Sequence, residues 1–165
     1  MGMYQGIEIA HLFVQKGIDD GKPLTHMKLQ KMVYFAHGLH LAAYEGKPLI
    51  IDSIEAWQFG PVIPSIYDCY SIFSDQLIAD TDLLETIRFY DQEVVSLDPE
   101  AQEIVDLTWE TLASISAIQL SNWTHNPGSA WSRVYEPGIS HINIPNELII
   151  KDFEQFNSAT ESASN

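Results

Sequence analysis

The chain has 165 residues, 45% of them hydrophobic, which is enough for one core, and 23 Asp plus Glu against 8 Lys plus Arg give a formal charge of -15 that repels nucleic-acid phosphates. No apolar run approaches the roughly 20 residues that span a bilayer, Met1 to Gln5 lack the basic and apolar features of a secretory signal, and the single Cys69 cannot form an internal disulfide. A soluble, cytoplasmic domain is expected, with neither nucleic acid nor membrane as a direct partner.

From Ile7 to Lys16, the residues Ile9, Ala10, Leu12 and Phe13 fall on one helical stripe, and Gly17 is placed to stop that helix. A longer second helix is expected after Thr25 as N-cap. There Leu29, Met32, Val33, Ala36, Leu39 and Ala43 recur at three- and four-residue steps until Glu45-Gly46-Lys47-Pro48 breaks the pattern. Gly38 inside that helix costs about 1 kcal/mol relative to Ala, tolerable where another segment packs close to the backbone. The run Leu49 to Phe59 reads as a short strand, with Thr86 to Leu97 as its antiparallel partner. Pro64 fits the first position of a third helix carrying Ile66, Tyr67, Tyr70 and Phe73 inward, with Pro61 keeping the entering chain extended.

Asp98 and Pro99 begin a fourth helix that buries Ile104, Val105, Leu107, Thr108, Leu112 and Ile115. A fifth starts at Ser116, buries Ile118 and Leu120, and ends near His125, before Asn126-Pro127-Gly128. Trp131 lies in a short helical turn, and Pro145 opens a last helix using Leu148, Ile149, Phe153 and Phe156. The sum is a mainly α, compact single-domain fold over residues 1–157 with a small antiparallel β element, and residues 158–165 read as a flexible polar tail. Between Asp75 and Glu110, eleven acids (Asp75, Asp80, Asp82, Glu85, Asp91, Glu93, Asp98, Glu100, Glu103, Asp106 and Glu110) face one base, Arg88. Such a run is either a solvated surface or a patch that steers a basic partner.

The sequence offers no catalytic or cofactor signature. His37 and His40 are one helical turn apart, but no third ligand stands at a recognisable spacing, and HExxH, CxxC and HxH patterns are absent. No GxSxG elbow surrounds a serine, and the glycines never cluster as a phosphate cradle. The reading is a protein that is not an enzyme, with no metal and no cofactor. His125 at a helix C-terminus suits donation to the last free carbonyls. Trp57, Phe59, Trp123 and Trp131 belong mostly to the core, with a minority left for a surface where aromatic anchors serve binding.

Three stretches, Lys28 to Gly38, Glu55 to Pro64 and Leu120 to His125, together with Gly46 to Leu49 and the later Trp131, resemble the SocA-like Panacea domain family of antitoxins from bacterial and phage toxin–antitoxin pairs. The resemblance extends from about Ile7 to Phe156. Trp123 stands where relatives usually have leucine, and Ser129-Ala130-Trp131 where they have Ser-Pro-Trp. The resemblance implies an antitoxin that binds and neutralises a cognate protein toxin, encoded beside it, by direct protein–protein interaction. The alternatives are an adaptor that delivers the toxin to an ATP-dependent protease, and an enzyme of unknown type using the His and Tyr residues. Residues carrying the motifs, and so expected at the partner surface or in its supporting shell, are Lys28, Lys31, Tyr34, His37, Trp57, Gly60, Pro61, Tyr67, Thr124, His125 and Trp131. Gly60 and Pro61 are expected to set a turn.

Overall fold

Thr25 starts the helix on which the rest of the molecule is built. The computed structural model describes residues 3–79, 85 and 95–164, with side chains as far as Phe156. Its elements are α1 (Gly6–Asp19), α2 (His26–Ala43), β1 (Glu55–Trp57), β2 (Gly60–Val62), α3 (Pro64–Tyr70) continued by a 3-10 turn (Ser71–Phe73), α4 (Pro99–Leu112), α5 (Ala117–Thr124), α6 (Ala130–Val134) and α7 (Asn146–Ser164). The fold is mainly helical, with one small antiparallel sheet among the described residues.

Helix starts follow local chemistry. Thr25 Oγ1 accepts from Lys28 N–H at 3.3 Å, Asp98 Oδ1 from Ala101 N–H at 2.8 Å, and Ser116 forms a reciprocal box with Gln119. Pro64 and Pro99 occupy first-turn positions where a missing N–H costs nothing. α1 does not stop at Gly17 but runs on to Asp19. Gly17 is buried, and a Cβ there would sit 2.8 Å from the Lys22 carbonyl, so this glycine serves a close backbone approach; Gly21, at φ +69°, follows the C-cap Asp20 instead.

α2 is buried nearly all round, with every residue from Leu29 to Gly38 inside, because α1, α4, α5, α7 and β2 all pack on it. A Cβ on Gly38 would fall 2.1 Å from the Phe153 ring of α7, which is the close approach that the glycine allows. That ring sits in an aromatic cluster with Tyr34, Phe35, Trp123 and Phe156, at centroid distances of 5.2–5.9 Å.

The strand pair differs from the expected one. β1 falls inside the run Leu49 to Phe59, but its partner is β2, immediately downstream, in the register Glu55↔Val62, Ala56↔Pro61 and Trp57↔Gly60. A two-residue loop, Gln58-Phe59, joins the strands, and Gly60 closes it at φ +117°, a conformation that favours glycine. Residues 86–94 of the expected partner lie outside the described residues, and 95–97 are not in a strand. On its other side β1 is met by residues 142–144, with Ala56 N–H to Ile142 O and Ile144 N–H to Ile54 O both at 2.8 Å.

Several inward assignments are reversed. Tyr67, Leu107 and Ile118 are exposed, while Trp109 is buried and donates through Nε1 to Asp20 Oδ2 at 2.8 Å. Helical periodicity gives the spacing of a stripe; which face is buried depends on the neighbours. Asp80, Asp82, Arg88, Asp91 and Glu93 of the acidic segment lie outside the described residues. Of those described, Asp98 caps α4, Glu103 accepts from Tyr44 and Asp106 pairs with Lys16 at 3.2 Å.

Candidate functional site

The tip of the hairpin is held by its backbone. Trp131 Nε1 donates to Trp57 O at 2.7 Å, Ser121 Oγ to Phe59 O at 3.2 Å, and Lys31 Nζ to Pro61 O at 3.2 Å. His125 places its ring nitrogens against Ser121 O (2.6 Å) and Gln58 O (3.3 Å). A neutral ring donates to one of them and an imidazolium to both. α2, α5 and α6 thus direct donor groups at four carbonyls of the five-residue segment from Trp57 to Pro61. Gln30 extends the clamp: Ile63 N–H donates to its Oε1 at 2.9 Å, so its Nε2 donates to Ile63 O at 3.3 Å and to His26 Nε2 at 3.1 Å.

Gly60 is required at the centre of this arrangement. A Cβ there would lie 2.9 Å from Lys31 Nζ and 3.1 Å from Thr124 Oγ1, so the glycine lets the lysine cross beneath the hairpin. Lys31 is only 2% exposed, and burial holds its ammonium down to about 8. Burial also lowers His26, with the Lys31 charge adding to the effect.

Seven of the eleven motif residues therefore meet here: Lys31, Trp57, Gly60, Pro61, Thr124, His125 and Trp131. Rings complete the assembly, with His125 on Trp131 at 4.0 Å, Trp131 stacked on Tyr135 at 4.6 Å, and Trp57 against Tyr67 at 4.8 Å. Lys28 lies elsewhere, donating to Ala113 O at the C-terminus of α4, where a cation also complements the helix dipole. Tyr34 and His37 are core residues. Trp131→Phe keeps an aromatic ring of smaller area and deletes the bond to Trp57. The expected cost is about 1 kcal/mol, a fall of roughly 2–4 °C in the thermal midpoint, and an unchanged midpoint would show that the bond contributes nothing.

Beside the clamp lies a groove of about 950 Å³. Met27, Tyr67 and Phe59 contribute exposed apolar surface to it, Phe59 being 67% exposed, and His26, Lys31 and Trp57 also line it. The sequence reading missed Gln30 and Ser121 as clamps, although both sit inside the motifs that it singled out. Trp57, Trp123 and Trp131 are half-buried rather than core residues and Phe59 is exposed, since exposure at a hairpin tip has no sequence pattern. Among the described residues, no group of three His, Cys, Asp or Glu could hold a metal ion. His37 and His40 are directed to different partners, Asn146 and Ile50 for one and Lys47 O for the other.

The family described as Antitoxin SocA-like, Panacea domain matches residues 29–132, which span the clamp from Gln30 to Trp131. The chain belongs to this family. Antitoxin SocA of Caulobacter vibrioides (strain NA1000 / CB15N) is 29% identical over 159 residues, covering 93% of this chain and 84% of that protein. No solved structure matches the chain. Within this Panacea domain, the clamp is the region where all three motif stretches converge. No helix among the described residues is long and apolar enough to cross a membrane.

Proposed function

We propose that this chain is a non-enzymatic antitoxin that neutralises a cognate protein toxin, encoded beside it, by binding it directly through the clamped hairpin and the adjoining groove. Membership of the SocA-like antitoxin family supports the role. The observation that carries the choice of surface is Phe59, an aromatic residue left exposed at the tip of a hairpin whose backbone is fixed from beneath. Exposed aromatic and methionine side chains on a rigid support match the anchors of tight interfaces, because little conformational entropy remains to be lost on binding. Lys31, Trp57, Gly60, Pro61, Thr124, His125 and Trp131 form the supporting shell, while Met27, Phe59 and Tyr67 supply contact area. Tyr34 and His37 support the fold, and Lys28 supports the α2–α4 junction.

Growth on induction of the neighbouring reading frame, with and without this chain, tests the proposal. Rescue is expected with the wild type and loss of rescue with Phe59→Ala, the toxin accumulating as a stable complex in rescued cells. A harmless neighbour, or toxicity that persists beside abundant folded antitoxin, would sink it. Rescue accompanied by rapid loss of the toxin would replace occlusion with delivery to a protease.

A further inference from the structure

Lys31 stands out among the cations of this chain. It is nine-tenths or more buried, its ammonium has one acceptor, Pro61 O, and among the described residues it makes no ion pair. Buried charges are otherwise paired, because an ammonium removed from water without a counter-charge costs several kcal/mol. Two of its three N–H groups are left without an acceptor. Lys31 also forms part of the wall of the apolar groove, whose rim carries Met27, Phe59 and Tyr67. The groove therefore combines apolar contact area with one incompletely satisfied positive charge and one carboxylate, Asp75, in a protein that is otherwise strongly acidic.

We propose that this groove receives an acidic side chain of the bound toxin, its carboxylate meeting the Lys31 ammonium while flanking apolar residues of the same toxin segment lie on Met27, Phe59 and Tyr67. The inference rests on the direct-binding reading above and adds the chemistry of the segment that is recognised. Charge complementarity selects the occupant: a basic or purely apolar segment would leave Lys31 buried and unsatisfied, whereas an Asp or Glu supplies acceptors for both remaining N–H groups. The acidic exterior of the antitoxin repels such a segment until the groove is reached, so the pair contributes specificity as well as affinity.

The test measures dissociation constants between purified toxin and this chain. Lys31→Met is expected to weaken binding at least about 30-fold, as for truncation of one member of a desolvated charge pair, with the thermal midpoint of the free variant measured alongside so that loss of the Pro61 bond is read separately. A scan of the toxin's Asp and Glu residues to Asn and Gln, which leaves the antitoxin untouched, should find one position with a loss of similar size, and that loss should not add to the Lys31→Met loss. Lys31→Met binding as tightly as wild type, or a scan in which no carboxylate matters, would overturn the proposal while leaving direct binding intact. If the wild type itself fails to bind the toxin, both readings fall.

Discussion

Alanine at position 38 is expected to destabilise the protein by about 1–3 kcal/mol, although replacing a helical glycine in this way ordinarily stabilises by up to about 1 kcal/mol. The inversion comes from Phe153, whose ring atoms lie 2.1–2.6 Å from where the new Cβ would stand. The ring cannot move aside cheaply, since Tyr34, Phe35, Trp123 and Phe156 surround it and it is itself fully buried. α7 would have to lift from α2, opening the junction on which most of the core depends. Urea unfolding of Gly38→Ala measures the effect. Phe153→Leu in the same background should recover part of the loss, so the double variant should be less destabilised than the two single changes added together. Stability equal to or above wild type in Gly38→Ala would mean that the two helices are not in close contact there.

Acidification should destabilise the fold through His37 by about 3 kcal/mol between pH 6.5 and 4. Ile50 N–H donates to His37 Nδ1 at 3.3 Å, so the proton is on Nε2, which faces Asn146 Oδ1 at 2.9 Å. A second proton would turn the Ile50 N–H against a donor. Burial, the largest cause, and the neighbouring His40 lower the folded value to about 4, opposed by the Asn146 bond and by Asp52. The unfolded chain takes up the proton near 6.5 and the folded chain only near 4, so protons favour unfolding throughout that window. The contribution is constant above 6.5 and saturates below 4. Other groups titrate in the same range, among them Asp152, whose carboxyl burial pushes up and whose effect runs the opposite way. The decisive quantity is therefore the difference between wild type and His37→Gln at pH 7, 5.5 and 4. The gap should change in favour of the variant as pH falls, and a gap independent of pH would remove His37 from the acid limb.

Local chemistry was the legible part of this fold. Thr25, Asp98, Ser116 and the prolines at positions 64 and 99 marked helix starts because caps act within one turn of the chain. What failed depended on distant neighbours. Gly17 has the position of a helix stop but accommodates the Lys22 carbonyl, and the three- and four-residue steps of α2 mark one stripe where its neighbours cover nearly all of it. The motif residues of the site were identifiable as a set, yet their use as donors to hairpin carbonyls was not, since a backbone acceptor is the same whatever residue carries it. Lys31 illustrates the difficulty: in sequence it is a polar position on a helix, and only the arrival of Gly60 and Pro61 above it makes it a buried cation.

The clamp on the hairpin has a consequence for what its tip can carry. Its bonds to the tip end on carbonyl oxygens of Trp57, Gln58, Phe59 and Pro61, so the side chains of Gln58 and Phe59 take no part in holding the loop in place. Those two side chains can be exchanged without loosening the loop, whereas exchange of Ser121, His125 or Trp131 removes a group that holds it. The architecture thus separates the residues that hold the tip from those that it displays, so the surface presented there can change without reopening the folding problem.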